Sequence, residues 1–301
     1  MAEAAEPKKK TPAAPKSGGT KPDLATIGGI VLALTGLIGG LLLEKGSISD
    51  VSQVTAAIIV FGGTFGAVLV TTPLPIFLSA MKGLKSVFFE TASSTSETIQ
   101  AIIGYATAAR KNGIVSLESE AAKIADPFLR KALNLAVDGT DLQELRKMME
   151  IDIALSENAA EAEAKVWEAA GGYAPTVGII GAVMGLIQVM KHLEDIKEVG
   201  HGIAVAFVAT VYGVASSNLF FLPAASKLRA RMHDAAQLKD MTLEGVVGIV
   251  EGLNPTLIRL KLGAYDTSPA QPKTPKAAKG AKAPEPAGKA GAVPQPAATG
   301  T

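Results

Sequence analysis

The chain contains no cysteine, and this absence excludes several classes of protein. A disulfide framework, a zinc ribbon and thiol-based catalysis all require cysteine. Three histidines are present, and they are too scattered along the sequence to predict a metal site. The phosphate-binding loop and the dinucleotide-binding fingerprint are absent as well. The sequence therefore predicts a protein that is not an enzyme and that has no cofactor.

An excess of charge is also lacking. The formal net charge is +1, and the basic residues concentrate toward the chain ends, so we predict no nucleic-acid-binding surface. Charged residues make up 19% of the 301 residues, whereas 48% are hydrophobic. This composition is oily for a soluble domain and favours a protein of the membrane.

Four uncharged apolar segments are each about as long as a bilayer is thick, and we predict that they are membrane spans. They are Leu24–Leu43, Val54–Val70, Gly171–Met190 and Gly202–Pro223. The first segment is too long for a signal peptide and lacks a small-residue cleavage site after it, so we interpret it as an anchor. An extension of the second to about Leu78 is an alternative, but Pro73 and Pro75 are expected to kink or end it near the membrane surface.

Between Lys82 and Glu168 no window is apolar enough to span a membrane, and charges recur on helical faces. We predict an amphipathic helix over Glu97–Lys111, ended by Asn112–Gly113 in a left-handed cap. Thr140 and Gln143 form a capping box that predicts the start of a long acidic helix, reaching about Ala170. This stretch is therefore predicted to be a compact helical domain inserted between the second and third spans.

The predicted fold class is an all-α integral membrane protein with four transmembrane helices. The predicted divisions are a disordered basic tail (1–22), spans one and two (23–79), the helical domain (80–170), spans three and four (171–223), an amphipathic helix (224–265) and a disordered Lys/Pro/Ala-rich tail (266–301). Basic residues flank the spans mainly on the side of the N-terminal lysines. The positive-inside rule therefore predicts that both termini and the helical domain are cytoplasmic.

The third and fourth spans each carry a stripe of small or weakly polar residues. The stripes are Gly178, Ala182, Gly185 and Val189, and Ala206, Thr210, Gly213 and Ser217. No span contains Asp, Glu, Lys or Arg, although an ion carrier normally needs an ionisable group in the membrane. Two interpretations remain open. Either the stripes pack helix on helix, with Thr210 bonded to its own helix, or a carboxylate from another polypeptide lies against them.

Four motifs occur in order along the chain. They are RKNGIVSLE (Arg110–Glu118), YAPTVGIIGAVMGLI (Tyr173–Ile187), GIAVAFVATVYGVASSNLFFLP (Gly202–Pro223) and EGLNPTLIRLKL (Glu251–Leu262). With the order of two spans, an insert and two spans, the stretch from about Leu24 to Tyr265 resembles the flagellar motor stator A subunits. These form the MotA/PomA branch of the MotA/TolQ/ExbB proton channel family.

The resemblance implies a subunit of the bacterial inner membrane. Five copies would surround two B subunits, each with one span that supplies the ion-binding aspartate, and the cytoplasmic domain would contact the rotor switch protein. The implied ion-pathway residues are Gly178, Ala182, Ala209, Thr210 and Gly213. The implied coupling prolines are Pro175 and Pro223, which lie at one membrane level and can free backbone carbonyls there. The implied rotor-facing charges are Arg110, Lys111, Glu118 and Glu120, of which Arg110 and Glu118 have a surface ion pair as their alternative role.

Sodium-driven members of the family resemble one another in carrying threonine where this chain has Ala182, and a second threonine where it has Thr210. Sodium needs several oxygen ligands, and Ala182 offers none. We therefore expect protons rather than sodium. Two alternative functions remain: a TolQ/ExbB-like energiser of envelope transport, whose relatives resemble three-span proteins, and a non-conducting membrane scaffold.

Overall fold

The computed structural model describes residues 20–91 and 95–265, most of which are helical. Residues 1–19 of the predicted N-terminal tail and the whole predicted tail 266–301 lie outside the described residues. The helices are α1 (Leu24–Leu43), α2 (Val54–Ala57), α3 (Gly63–Thr71), α4 (Leu74–Gly83), α5 (Lys85–Phe88), α6 (Thr95–Asn112), α7 (Glu118–Ala121), α8 (Pro127–Val137), α9 (Leu142–Lys191), α10 (Ile196–Ser216), α11 (Leu222–Val250) and α12 (Pro255–Gly263). Two π-helical turns, Ile58–Gly62 and Ser217–Phe221, join α2 to α3 and α10 to α11.

Four helical stretches are long and apolar enough to cross a membrane. They are Leu24–Leu43, Ile48–Thr71, Leu142–Lys191 and Ile196–Val250. The predicted all-α membrane protein with four spans is therefore confirmed. The third and fourth spans continue without interruption into the helical domain, because α9 and the α10–α11 stretch are each far longer than a bilayer is thick. The predicted division at residue 170 lies inside α9, and the one at residue 223 lies one residue after the start of α11.

The second span ends at Thr71, before Pro73, which has extended backbone angles and precedes a new helix, so the expectation that the prolines end this span is confirmed. Two other local predictions were wrong. Residues Thr20–Pro22, placed in the disordered tail, form strand β1, which pairs antiparallel with strand β2 (Phe89–Thr91). Asp141, not Thr140, caps α9, and its carboxylate accepts a hydrogen bond from Gln143 N at 2.9 Å. An aspartate one residue closer to the helix competes successfully for this role.

The predicted end of the helix over Glu97–Lys111 lies one residue later, at Asn112. Gly113 has a φ of +84°, which glycine adopts without strain, and its N–H bonds the carbonyl of Ala109 at 2.8 Å. The chain then turns through Ile114–Leu117 into α7. Leu117, fully buried, anchors this turn to the core of the helical domain.

Two main apolar cores hold the described part of the chain together. The helical-domain core includes Ile102, Tyr105, Leu117, Leu129, Leu133, Leu145, Met149, Met241, Ile258 and Leu262. A second core lies where α4 meets α9 and α11, and its centre is Trp167. The Trp167 ring stacks on Phe221 at 6.0 Å, and its Nε1 donates to the carbonyl of Ala80 at 3.3 Å. Trp167 thereby fixes α4 against the long helices.

Between the two cores, an ion-pair network joins α9 to α11. The Arg229 guanidinium donates to both oxygens of Glu161, with Nη2 at 3.0 Å from Oε1, and also to Glu168. Its hydrogen bonds hold the pKa of both carboxyls below the ordinary value, and they raise the pKa of Arg229. Partly exposed pairs of this kind each contribute about 0–1 kcal/mol, so the network orients the helices more than it stabilises them.

The first span is attached mainly at one end. None of the residues of α1, all of which the structure describes, is buried. Asp23 caps α1 and pairs with Lys227 Nζ at 2.6 Å and Arg231 Nη2 at 2.8 Å, both on α11. Arg231 also donates to the carbonyl of Phe89 at 2.8 Å. We call Asp23, Lys227 and Arg231 the Asp23 clasp, which ties α1 and the β1–β2 ribbon to the fourth span.

The Asp23 clasp predicts a pH dependence. The hydrogen bond from Lys227, followed by that from the Thr26 backbone, holds the pKa of Asp23 below its ordinary value of 3.8. The clasp therefore contributes stability that is fully present above pH 3.8 and is lost as the pH falls through the lower, folded-state pKa. The difference in thermal unfolding midpoint between the native protein and Asp23→Asn is expected to be constant near neutral pH and to shrink below pH 4. The exposed Asp138→Asn control is expected to differ little at any pH. A difference for Asp23→Asn that persists unchanged into strong acid would contradict this account.

Candidate functional site

The small-residue stripes of the third and fourth spans pack directly against each other. A β-carbon placed on Gly213 would lie 2.5 Å from the carbonyl oxygen of Ala174, and one on Gly178 would lie 2.9 Å from that of Ala209. Such distances are too short for a side chain, so the backbones of the two helices touch here. Glycine is the residue that permits this approach in a membrane protein. The packing role that the sequence left open therefore applies to Gly178 and Gly213.

The contact continues toward the ends of the two helices that the short loop between α9 and α10 joins. A β-carbon on Gly185 would lie 2.7 Å from the carbonyl oxygen of Gly202, and one on Gly181 would lie 2.8 Å from the Ala209 methyl group. Sequence reasoning singled out neither Gly181 nor Gly202. The spacing of Gly178, Gly181 and Gly185 by three and four residues was the signal that places Gly181 on the same helical face.

The five predicted ion-pathway residues separate into two groups. Gly178, Ala209 and Gly213 are buried inside the chain. Ala209 also contacts the second span, in a cluster with Ala56 and Val60. Ala182 and Thr210 are partly exposed, and they lie on α9 and α10, which pack against each other. These two are therefore the predicted residues that a partner helix can reach.

Thr210 has a hydroxyl whose proton is already in use. Its Oγ1 donates to the carbonyl of Ala206 at 3.2 Å, as hydroxyls in membrane helices commonly do. Its lone pairs remain free to accept a hydrogen bond from outside the chain. Ala182 offers only a methyl group. The exposed part of the stripe thus presents one acceptor oxygen from a side chain and no ionisable group.

The two prolines are linked through a residue that the sequence analysis did not assign to them. Pro175 has no N–H, so the carbonyl of Gly171, four residues earlier in α9, loses its usual helical donor. The Ser217 hydroxyl donates to this carbonyl at 2.6 Å, and Ser217 is 1% exposed. Ser217 begins the π-helical turn that leads to Pro223. The hydrogen bond therefore connects the proline of the third span to the irregular turn of the fourth.

The second span contributes a further polar pair. The hydroxyl of Tyr212 on α10 donates to the carbonyl of Val51 at 2.6 Å and accepts from the N–H of Gln53 at 3.3 Å. The same ring stacks on Phe61 at 6.2 Å. Tyr212 thus fastens the loop between the first two spans to the fourth. Nothing in the sequence pattern distinguished this tyrosine from a lipid-facing one.

The predicted rotor-facing charges surround the Gly113 turn. Arg110, Lys111 and Glu118 are exposed, and among the residues that the structure describes none of the three forms an ion pair. Glu120 is partly buried and pairs with Lys123 at 3.6 Å. The surface ion pair between Arg110 and Glu118, considered as an alternative, is therefore absent from the described residues. The turn thus presents unpaired charges of both signs, and the buried Leu117 holds it against the core of the helical domain.

Metal-ligand clusters are absent from residues 20–91 and 95–265, where no three His, Asp or Glu side chains gather closely enough to hold a metal ion. The site consists of packed backbones, one hydroxyl acceptor, and a proline in each helix, with the carbonyl that Pro175 frees bonded by Ser217. Such an arrangement can receive a titrating group from a partner, and its proline pair offers a place at which the helices can bend.

Comparisons with known proteins agree with this geometry. Residues 120–241 match the sequence model of the MotA/TolQ/ExbB proton channel family. The motility protein A of Helicobacter pylori is 38% identical over 251 residues, which cover 83% of this chain and 97% of that protein. The structure of the C. jejuni MotAB complex is similar with a TM-score of 0.77 and 33% identity, covering 85% of this chain and 99% of that one. The flagellar MotAB stator complex of Bacillus subtilis gives a TM-score of 0.74 and 33% identity, covering 81% and 96%.

The bridge between Ser217 and Gly171 predicts a non-additive mutational effect. Ser217→Ala leaves a buried carbonyl unpaired and is expected to cost about 1–3 kcal/mol of stability. In a Pro175→Ala background the residue at 175 regains its N–H, so the same substitution is expected to cost less. The coupling is measured from the unfolding, in detergent, of the native protein, the two single variants and the double variant. Ser216→Ala is the matched control, because the Ser216 hydroxyl donates to the carbonyl of Gly213 in its own helix, at 3.2 Å. Equal costs of Ser217→Ala in both backgrounds would show that the bridge does not compensate for the proline.

Proposed function

Because this chain belongs to the MotA/TolQ/ExbB proton channel family, we propose that it is the A subunit of a flagellar motor stator. With a B subunit it forms an ion channel in the bacterial inner membrane, and ion flow through this channel drives torque on the rotor. The similarity to MotAB stator complexes over 81–85% of the chain is the observation that carries this proposal. The same similarity supports a membrane-embedded oligomer that includes a B subunit.

The ion site is shared between the two kinds of subunit. All four spans of this chain lack an ionisable residue, so the titrating carboxylate comes from the single span of the B subunit. That aspartate lies against the partly exposed face formed by Ala182 and Thr210. The free lone pairs of Thr210 accept a hydrogen bond from a water or from the protonated carboxyl. Five A subunits around two B subunits give each aspartate a series of equivalent positions to visit.

Protons are the transported ion in this proposal. A sodium ion needs several oxygens close together to replace its water. Thr210 supplies one side-chain oxygen and Ala182 supplies none. A proton needs only the carboxylate and a path of water or hydroxyl groups, which this surface can provide.

The long helices carry motion from the membrane to the rotor. Because α9 and α10–α11 continue unbroken from the spans into the helical domain, a movement at the aspartate displaces the domain rigidly. The two helices bend at Pro175 and Pro223. The hydrogen bond from Ser217 to the Gly171 carbonyl makes them move together. Basic residues such as Lys82, Lys85 and Arg229 follow the spans on the domain side, which supports a cytoplasmic domain and cytoplasmic termini.

Rotor contact occurs at the Gly113 turn. Arg110, Lys111 and Glu118 are exposed and unpaired within the described residues, so they can pair with charges on the rotor switch protein. Glu120 already pairs with Lys123, so it contributes less to the rotor contact than the three unpaired charges. The alternative of an envelope-transport energiser is less well supported, because the long first span α1 adds a second helix before the insert. A non-conducting scaffold is also less well supported, because it does not account for the membership in a proton channel family.

The channel role predicts an effect of Thr210 on ion flux. In vesicles that contain the chain and its B subunit, Thr210→Val is expected to lower proton flux about fivefold, the effect of one lost hydrogen bond of about 1 kcal/mol. Thr210→Ser is expected to retain most of the flux. Thr176→Val, another threonine whose hydroxyl bonds its own helix, at 2.8 Å from the Tyr173 carbonyl, is the matched control. Native flux is expected to persist when sodium is replaced by potassium. Normal flux in Thr210→Val would remove Thr210 from the pathway, and flux that stops without sodium would reverse the ion assignment.

The rotor contact predicts a charge effect on motility. Arg110→Glu is expected to reduce torque because an attractive pair becomes repulsive, and a compensating charge reversal on the rotor is expected to restore part of it. Torque is measured from the rotation of tethered cells under load. Arg259→Glu makes the same charge change on the exposed face of α12 and serves as the control. Equal torque in the Arg110→Glu, Arg259→Glu and native strains would exclude Arg110 from the rotor contact.

A further inference from the structure

A cavity separates the first span from the end of the fourth. It has a volume of about 340 Å³ and lies just above the Asp23 clasp, with α1 on one side and the turn before α11 on the other. Apolar residues dominate its walls, including Gly29, Ala33, Phe88, Leu219, Phe220 and Pro223. A β-carbon placed on Gly29 would have no neighbour within 4 Å. Because Gly29 and Ala33 belong to the first span, this part of the groove lies at the level of the lipid chains.

A second cavity, of about 630 Å³, lies on the other side of the clasp, and we call it the polar pocket because its lining, although partly apolar, includes the charged side chains of Asp23, Glu90, Lys227, Arg231 and Asp234. Lys227 lines both cavities, so the apolar groove and the polar pocket meet at its side chain. The polar pocket contains the two cations of the clasp, Lys227 and Arg231, and the single carboxylate of Asp23 neutralises only one of them. The Nε of Arg231 is buried and has no hydrogen-bond partner among the described residues.

The same pocket contains two further carboxylates. Glu90 and Asp234 line it, both side chains are exposed, and neither forms an ion pair within the described part of the chain. Along α11, Lys227 borders the apolar groove, Arg231 follows about one turn later and Asp234 about two turns later, so the cationic donors on this helix lie nearer the groove than its carboxylate. This order of an apolar wall, then positive charge, then negative charge is complementary to a zwitterionic lipid. A phosphate pairs with Lys and Arg, and an ammonium group pairs with carboxylates.

We propose that this double cavity binds a phospholipid with an ethanolamine head group. One acyl chain fills the groove between α1 and the fourth span, the phosphate lies beside Lys227 and Arg231, and the ammonium group faces Glu90 and Asp234. Both volumes fall in the range of about 300–1,000 Å³ that is usual for small-molecule sites. A glycerol head group has no cation for the two carboxylates, and a choline head group cannot donate hydrogen bonds to them. The proposal rests on the assembly with a B subunit proposed above, but not on ion conduction by that assembly.

Bound lipid would complete the attachment of α1. The Asp23 clasp holds only the end of this helix, and the groove above it leaves apolar surface uncovered on both walls. An acyl chain in the groove covers that surface and excludes water from the clasp. The lipid therefore acts as a structural component between the first span and the fourth.

The test measures lipid retention by native mass spectrometry on the complex of the chain with its B subunit. Ethanolamine, glycerol and choline phospholipids with identical acyl chains are added in equal amounts. The native complex is expected to retain the ethanolamine lipid preferentially. Gly29→Phe, which fills the groove, is expected to reduce this retention about tenfold, the effect of losing about 1.4 kcal/mol. Gly28→Phe is the matched control, because Gly28 is adjacent in sequence, does not line the groove and also has open space around it.

A second variant tests the head group separately. Glu90→Gln combined with Asp234→Asn is expected to abolish the preference for the ethanolamine lipid over the glycerol lipid while the total retained lipid stays similar. Equal retention of all three lipids by the native complex would overturn the proposal, as would equal retention by Gly29→Phe and Gly28→Phe. If Gly29→Phe instead dissociates the oligomer while Gly28→Phe does not, the groove accommodates a second copy of this chain, and the lipid proposal is wrong.

Discussion

The contact between the backbones of the third and fourth spans is the constraint on which the membrane part of the structure depends. At Gly178 and Gly213 there is no room for a β-carbon, and the helices approach as closely as their main chains allow. Lipid gives these helices no hydrophobic reason to associate, so close packing and a few hydrogen bonds must hold them. This contact sets which residues are buried and which remain available to a partner.

The close approach of the two helices also compensates for the irregular backbone at Pro175. Pro175 frees a carbonyl in a region without water, where an unpaired polar group costs several kcal/mol. Only a neighbouring helix at contact distance can supply the missing donor, and Ser217 does so at 2.6 Å. The π-helical turn that begins at Ser217 then precedes Pro223. Packing, proline chemistry and the possibility of bending are therefore consequences of one interface.

The charged residues lie outside the apolar segments of the spans. These segments contain no Asp, Glu, Lys or Arg, whereas the helical stretches next to them contain the Asp23 clasp and the network of Arg229 with Glu161 and Glu168. Outside the membrane these groups retain water on one side, so each pair needs little compensation. In the proposed function, the membrane interior is left for a carboxylate that the B subunit supplies. A rigid pair of helices, anchored by charges at their ends, can present one face to that group and transmit its movement.

The sequence by itself determined the four spans and the helical insert, because apolar length and the absence of charge depend on composition alone. It also identified Ala182, Thr210 and the prolines as residues of interest, and Gly113 as the end of a helix. Only the tertiary structure decided that Gly178, Ala209 and Gly213 are buried in a helix contact, that Ser217 compensates for Pro175, and that Thr20–Pro22 pairs with Phe89–Thr91. Each of these depends on which residues far apart in the chain become neighbours. Local pattern cannot reveal such pairs, because helical periodicity specifies a face but not the partner that covers it.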